Sequence, residues 1–180
     1  MHIQTKDIVA KADRLVKLWG TRDPKQLADA LNIEIVPRDF QKQRGAYKVI
    51  MRQPFIFIKN DLHPVMERIV LLHEIGHDRL HRNEAVASGG FKEFEIFDMH
   101  DKRMEYEANI FAAQISLPDE EILDYIVSGY DVGQIAKAMN SDMNLVALKV
   151  AELNSRGYQF RELEHHSDFL SGKHTRQGPF

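Results

Sequence analysis

The chain contains no cysteine among its 180 residues. This absence excludes disulfide bonds and metal sites built from thiolates, and it is compatible with a reducing compartment. The sequence also lacks an apolar run of membrane-spanning length. Its N-terminus has neither the apolar segment nor the small-residue cleavage site of a signal peptide. We therefore expect a cytoplasmic protein that has no contact with a membrane.

A large net charge is also missing. Lysine and arginine together number 24, against 27 acidic residues, which gives a formal net charge of -3. A chain this close to neutral has no electrostatic reason to take nucleic acid as its main partner. With 43% hydrophobic and 28% charged residues, the composition is that of a soluble globular protein, and the length allows one core plus an appendage.

The hydrophobic periodicity changes twice along the chain. Helical spacing over residues 5–31 is followed by three short segments with strand character over residues 33–59, and helical spacing returns from Pro64 onward. The fold class is therefore predicted to be α+β, with a small three-stranded antiparallel sheet covered on one face by helices. Residues 52–54 are expected to form a hairpin turn.

The chain is predicted to have three regions. Residues 1–127 form the first domain, which contains the sheet. Residues 128–162 contain two helical patterns separated by a turn at residues 140–142, and they are predicted to form a helical segment like a helix-turn-helix. Residues 163–180 are polar, contain glycine and serine, and are predicted to be a disordered tail.

One short motif points to a reaction. Residues 73–77 have the sequence His-Glu-Ile-Gly-His, within a helix predicted over about residues 64–82. Residues four apart lie on the same face of a helix. His73 and His77 can therefore bind one zinc ion, while Glu74 can reach the water on that ion.

A glycine lies in the apolar stripe of this helix. Gly76 costs helix stability, roughly 1 kcal/mol relative to alanine. We expect the compensation to be the close approach of a neighbouring backbone, which a side chain would block.

A catalytic zinc site usually has three protein ligands and one open position. The third donor is expected on the helix predicted over residues 102–117. Glu105 and Asn109 are four apart and stack on one side, whereas Glu107 lies on the other side of the core face. We predict Glu105 as the ligand, with Asn109 forming a hydrogen bond to the far nitrogen of His73. Glu107 is the alternative ligand and is otherwise expected to be an outward charge.

Other histidines and tyrosines have less defined roles. His81 continues the series of histidines four apart, but three side chains stacked over two turns cannot all converge on one ion. We expect His81 to support a ligand or to cap the last helical turn. The sequence does not select an oxyanion-stabilising group among His63, His100, Tyr47 and Tyr106.

Two alternatives explain the motif without catalysis. In a chain with nine histidines, it can arise by chance on a solvated helix. It can also belong to a structural zinc site, but such sites have four ligands and are commonly rich in cysteine, which this chain lacks. The histidines beside a core face, and the acids at suitable phase on the next helix, favour a catalytic site.

The motif at residues 73–77 is followed by residues 105–113 (Glu-Tyr-Glu-Ala-Asn-Ile-Phe-Ala-Ala) and then by Leu and Pro at residues 117–118. This combination resembles the ImmA/IrrE family of metallopeptidases. The resemblance covers roughly residues 23–120. It implies zincin-like helices packed on the sheet, and therefore a metallopeptidase-like first domain.

The resemblance also implies a function. It implies a zinc-dependent endopeptidase of the gluzincin type, with His73, His77 and Glu105 as zinc ligands and Glu74 as the catalytic acid and base. Members are typically bacterial or phage cytoplasmic proteins. Their protein substrate is a helix-turn-helix transcriptional repressor, and its cleavage releases stress or mobile-element genes, which is an anti-repressor role.

The C-terminal helices leave a second function class open. A helix-turn-helix would suit DNA binding, but its cations are balanced by acids: Lys137, Lys149 and Arg156 against Asp131, Asp142 and Glu152. A neutral segment favours packing or protein recognition over phosphate binding, so DNA contact is not favoured. The alternative function is a non-enzymatic regulator that binds DNA or a repressor and has a structural or vestigial metal site. Glu74 favours the peptidase, because a structural ion needs no base.

Overall fold

A computed structural model of the chain describes residues 4–87 and 102–160. The tail predicted over residues 163–180 lies outside these ranges, and the domain boundary after residue 127 stays a prediction. None of the helices in the two described ranges combines the length and the apolar character needed to cross a membrane.

The described residues contain seven helices and three strands. In chain order these are α1 (Thr5–Trp19), α2 (Pro24–Ala30), β1 (Glu34–Arg38), β2 (Gly45–Ile50), β3 (Gln53–Lys59), α3 (Pro64–Ala87), α4 (Lys102–Ser116), α5 (Asp119–Val127), α6 (Val132–Ala138) and α7 (Met143–Ser155). The predicted α+β class and the helical C-terminal part are thus confirmed.

Local chemistry sets the ends of the first two helices. α1 ends at Gly20, whose φ of 65° is in the left-handed region that glycine adopts at low cost. The side chain of Asp23 begins α2 by accepting the backbone N–H of Gln26 at 2.9 Å. Pro24 occupies the first turn, where its missing N–H would have no helical partner.

The sheet is mixed, so the prediction of a purely antiparallel sheet is wrong in this respect. Its strand order is β1-β3-β2, and β3 pairs antiparallel with β2 but parallel with β1. The central strand β3 contains the run Phe-Ile-Phe-Ile, and Ile56 and Ile58 are buried. Residues 39–44 carry the chain from one edge to the other, past the place that β3 later fills. Periodicity indicates that strands form, but it does not give their order or direction.

The β2–β3 hairpin turns at Met51 and Arg52, whose φ values are 49° and 70°. Positive φ at both residues of a two-residue turn is characteristic of type I′ turns, whose twist matches that of paired strands. The turn therefore begins one residue before the predicted position at residues 52–54 and shares Arg52 with it, and Pro54 lies inside β3. β1 pairs with β3 only from Phe55 onward, so no N–H of Pro54 is needed on that side.

The helix α3 packs on the sheet and also on α4. A Cβ built on Gly76 would lie 3.2 Å from both Cα and O of Ala108 and 3.3 Å from Cβ of Phe111. The expected close approach of a neighbouring backbone at Gly76 is thus confirmed. Further along α3, the backbone leaves helical values at His81, with φ -127° and ψ 18°.

The helix α4 is buried along most of its length. It contacts α1, α3 and α7, and every residue from 107 to 117 is buried. The first turn, which includes Glu105, is more exposed. One end of α4 is therefore accessible from solvent, while the remainder forms the centre of the molecule.

A buried cation links α7 to α4 and α5. Lys149 has no exposed surface, and its ammonium donates to Gln114, to Asp119 at 2.6 Å and to Glu152 at 3.2 Å. Arg156 donates to the same two carboxylates, at 2.7 Å and 2.9 Å. Removing one partner of such a network leaves a poorly compensated charge in the interior, which is strongly destabilising.

We predict that Asp119→Asn lowers the free energy of unfolding by about 1–3 kcal/mol, because Lys149 and Arg156 lose a charged acceptor. Partial burial acts to raise the pKa of Asp119, but hydrogen bonds from Arg156 and Lys149 outweigh it and lower the pKa from 3.8 to about 2. A carboxylate with a lowered pKa contributes stability that is present above about pH 4 and is lost as the pH falls toward 2.

Chemical denaturation at pH 7 and pH 3 measures this contribution. Acidification should cost the Asp119→Asn variant less stability than it costs the wild type. An equal loss in both proteins would contradict the assignment of the acid-sensitive contribution to Asp119.

Candidate metal centre

Three side chains from two helices converge where α3 meets the first turn of α4. The Nε2 atoms of His73 and His77, one helical turn apart on α3, are 3.0 Å from each other. The carboxylate of Glu105 faces both rings: Oε2 is 3.2 Å from Nε2 of His73, and Oε1 is 3.3 Å from Nε2 of His77. The structure therefore brings together the three residues that the sequence analysis selected as ligands.

The spacing of these atoms suits one divalent ion. All three donor atoms lie within 4.8 Å of one another. Donors that surround a tetrahedral zinc ion at about 2.0–2.1 Å are roughly 3.3 Å apart, which is close to the three distances observed. Two imidazoles and one carboxylate also form a donor set found in catalytic zinc sites.

Asn109 determines which nitrogen of His73 faces the other two donors. Nδ1 of His73 is 2.8 Å from Oδ1 of Asn109. An amide oxygen can only accept, so Nδ1 carries a proton, and in the neutral ring Nε2 keeps its lone pair. The hydrogen bond predicted between these two residues is confirmed.

Glu74 lies next to the cluster and is 4% exposed. Burial raises its pKa to about 7, and the charge of Glu105 adds to this effect while His73 opposes it. A carboxyl group with a pKa near neutrality can both accept and donate a proton at neutral pH, as general acid–base chemistry requires.

The space occupied by the Glu74 carboxylate depends on Gly45, the first residue of β2. A Cβ at Gly45 would lie 2.7 Å from Oε1 of Glu74 and 2.5 Å from Cγ1 of Val70. The sequence analysis missed this residue. The only available signal was a glycine at the start of a strand, which often marks a close approach of other atoms.

The pKa values of the two histidines reflect their shared neighbour. Burial acts to lower the pKa of His73, but the hydrogen bond and charge of Glu105 outweigh it, so the pKa is raised. Burial dominates at His77, where the charge of His73 adds to it despite the hydrogen bond to Glu105, and the pKa falls to about 4. Because the two rings are in contact, only one of them can take up a second proton beside this carboxylate. A metal ion competes with that proton for the Nε2 lone pairs.

Glu105 is held in its ionised form. Burial acts to raise its pKa, but the contacts of its carboxylate with His73 and His77 outweigh the burial and hold the pKa of Glu105 well below its usual range. The centre therefore keeps one negative charge facing two ring nitrogens, which is an attractive environment for a cation.

The expectation that Glu107 is an outward charge is wrong. Its side chain is buried, and Oε2 lies 2.9 Å from Nε2 of His81. Nδ1 of His81 in turn lies 3.0 Å from Nδ1 of His77, so His81 does contact a predicted ligand, as expected. The prediction assumed that α4 is buried on one face only, which would leave Glu107 in solvent. In the structure α4 is covered by three other helices, so residues on several of its faces are buried.

Tyr47, one of the candidates for an oxyanion donor, forms a buried hydrogen bond between two elements of the fold. Its hydroxyl donates to Oδ1 of the buried Asp78 at 2.6 Å, which links β2 to α3, and burial raises the pKa of Tyr47. His63 is exposed and Tyr106 is half-buried. His100 lies outside the described residues.

Comparison with known proteins finds relatives of this chain. Residues 28–150 match the family model described as Peptidase_M78, IrrE N-terminal-like domain. The chain is also 32% identical over 144 residues to "Uncharacterized immunity region protein 2" of Bacillus phage phi105, and the alignment covers 79% of this chain and 88% of the relative. The residues matched to the family include the sheet, α3 and α4, and thus every residue of the cluster described above.

We predict that Glu105→Gln abolishes tight binding of a divalent metal, because it removes the one charged donor among the three. The loss of affinity should exceed the about 10–100-fold that is typical of a changed supporting residue. Metal content after purification, measured by mass spectrometry, tests this. Glu120→Gln, at an exposed acid of α5, is the matched control and should keep wild-type content. Undiminished metal in the Glu105→Gln variant would exclude Glu105 as a ligand.

Proposed function

The chain belongs to the Peptidase_M78 family of IrrE N-terminal-like domains, and from this premise we propose that it is a zinc-dependent endopeptidase. In this proposal the substrate is a helix-turn-helix transcriptional repressor, and cleavage ends repression. The observation that carries the proposal is the position of a buried Glu74 beside three metal-type donors, His73, His77 and Glu105.

The proposed ligands are His73, His77 and Glu105, which leaves one coordination position for water or substrate. Zinc is favoured because two imidazoles, one carboxylate and no thiolate are a donor set typical of catalytic zinc. When bound, zinc acts as a Lewis acid that lowers the pKa of water to about 7 and polarises the scissile carbonyl.

Glu74 is the proposed catalytic acid and base. It accepts a proton from the attacking water and then delivers this proton to the leaving amine. Its place next to His73 in the chain puts the carboxyl group on the helix that also supplies two ligands, so base and donors share one rigid element. A pKa of about 7 supports both proton transfers near neutral pH.

The substrate class is supported by the relative from Bacillus phage phi105, whose name refers to an immunity region. We infer that this chain acts on the repressor system of a mobile element or a stress response. Such a substrate would be met in the cytoplasm, which agrees with a chain that contains no cysteine.

A regulator that binds DNA without catalysis is the alternative, and the C-terminal helices give it little support. Phosphate binding needs accessible cations, but Lys149 is fully buried. Arg156 is engaged by Asp119 and Glu152. These contacts favour packing or protein recognition by this segment.

We predict that Glu74→Gln keeps zinc binding and the fold but lowers cleavage of the repressor by about 10²–10⁴-fold. The amide keeps the shape of the side chain but cannot accept the proton. The assay incubates the chain with the repressor encoded by the neighbouring gene, with and without a chelator, and follows shortening of the repressor by mass spectrometry.

The matched control is Glu84→Gln, at an exposed acid of the same helix, which should cleave like the wild type. Full activity of Glu74→Gln would remove Glu74 from the mechanism. A sequence-specific gel shift with no cleavage by the wild type would favour the regulator instead.

We also predict that Gly45→Ala slows cleavage by about 10²-fold, the usual effect of a small misplacement of a catalytic group. The added Cβ would overlap both Val70 and the Glu74 carboxylate, so both side chains must shift, while the zinc ligands stay in place. Gly133→Ala in α6 is the control, because its Cβ would meet only ordinary or slightly tight contacts. Equal turnover of the two variants would show that Gly45 does not set the position of Glu74.

A further inference from the structure

A buried imidazole–carboxylate pair beside the proposed zinc site has no part in the mechanism above. His81 of α3 and Glu107 of α4 are 5% and 4% exposed, and they are joined by the 2.9 Å contact between Nε2 and Oε2. The other ring nitrogen of His81 lies 3.0 Å from Nδ1 of His77. The pair therefore reaches the site through one of the proposed ligands.

The protons in this series of contacts follow from the donor and acceptor types. A carboxylate accepts hydrogen bonds, so Nε2 of His81 carries a proton and donates a hydrogen bond to Glu107. In a neutral imidazole the other nitrogen is then an acceptor, so Nδ1 of His81 accepts the N–H of Nδ1 of His77. His77 is left with an unprotonated Nε2, which is the atom that faces Glu105 at 3.3 Å.

The two proposed histidine ligands are thus fixed in the same tautomer from the same helix. Asn109 of α4 sets His73 directly, whereas Glu107 of α4 sets His77 through His81. In their neutral forms, both rings then direct an Nε2 lone pair toward the centre. With the opposite tautomer, either ring would direct an N–H group there, which repels a metal ion.

We propose that His81 and Glu107 act together as positioning residues, which hold His77 in the tautomer and ring orientation that zinc binding requires. This inference deepens the proposed function and rests on it. In this view Glu107 is not a ligand but a hydrogen-bond acceptor that acts on the ligand His77 through His81. The backbone leaves helical values at His81, the residue whose ring connects His77 to Glu107.

A simple clamp between α3 and α4 is the competing explanation of the same contacts. Loss of a clamp would lower the stability of the fold, but it would not change which nitrogen of His77 carries the proton. The tautomer of His77 therefore separates the two explanations. Long-range 1H–15N spectra of the metal-free, 15N-labelled full chain report this tautomer, with the His77 signals assigned from a His77→Gln variant.

The informative substitutions are His81→Leu and Glu107→Ala. His81→Leu removes the acceptor for His77, and Glu107→Ala frees His81 to reverse its own tautomer and to donate toward His77. In both variants we expect the spectra to show His77 protonated at Nε2 in a large fraction of molecules. We expect the zinc dissociation constant, measured by competition with a chromogenic chelator, to rise by about 10–100-fold.

Two further variants provide the rescue and the control. His81→Asn places an amide oxygen near the position of Nδ1, so it should keep the wild-type tautomer of His77 and most of the zinc affinity, although Glu107 loses its imidazole partner. Tyr47→Phe removes a buried hydrogen bond to Asp78 on the same helix. It should lower the unfolding midpoint and leave the tautomer and the zinc affinity unchanged.

The inference is overturned if wild-type His77 is protonated at Nε2 in the metal-free chain, or if His81→Leu and Glu107→Ala keep both the wild-type tautomer and the wild-type affinity. If His81→Leu does not fold, Glu107→Ala and His81→Asn decide the question. A wild type that binds zinc without cleaving any repressor would overturn the proposed function instead, because the tautomer and zinc measurements do not depend on cleavage.

Discussion

The close approach of two helix backbones at Gly76 and Ala108 is the constraint on which the site depends. With only 3.2 Å between a Cβ position on α3 and the backbone of α4, no side chain can separate the helices at this point. The rings of His73 and His77 are consequently carried to within hydrogen-bond distance of Glu105. The glycine costs helix stability in isolation, and the packing of α3 on α4 offsets this cost.

The same packing gives the polar groups of the site their chemical character. Because α4 is covered by α1, α3 and α7, the residues that follow its first turn are withdrawn from water. On α3, burial likewise raises the pKa of Glu74 and lowers that of His77. Buried polar atoms generally need defined partners. Asn109 and Glu107 supply such partners, so the contacts that satisfy the interior also orient the two imidazoles.

The C-terminal helix α7 is part of this packing. Lys149 extends from α7 to Gln114 on α4 and to Asp119 at the start of α5, and it has no exposed surface. A cation used in this way holds α7 against α4, the helix that carries Glu105. It is correspondingly withdrawn from any partner in solution, in agreement with the packing role that the balanced charges of this segment favour.

The spacing of His73 and His77 could be interpreted from sequence because the geometry of one helix is local: residues four apart share a face whatever surrounds them. The stacking of Glu105 with Asn109 was predictable for the same reason. Tertiary structure alone decided the direction of β1, the burial of Glu107 and the contact of Gly45 with Glu74. Each of these depends on which distant segment lies opposite, and a side chain's phase on its own helix or strand carries no information about that neighbour.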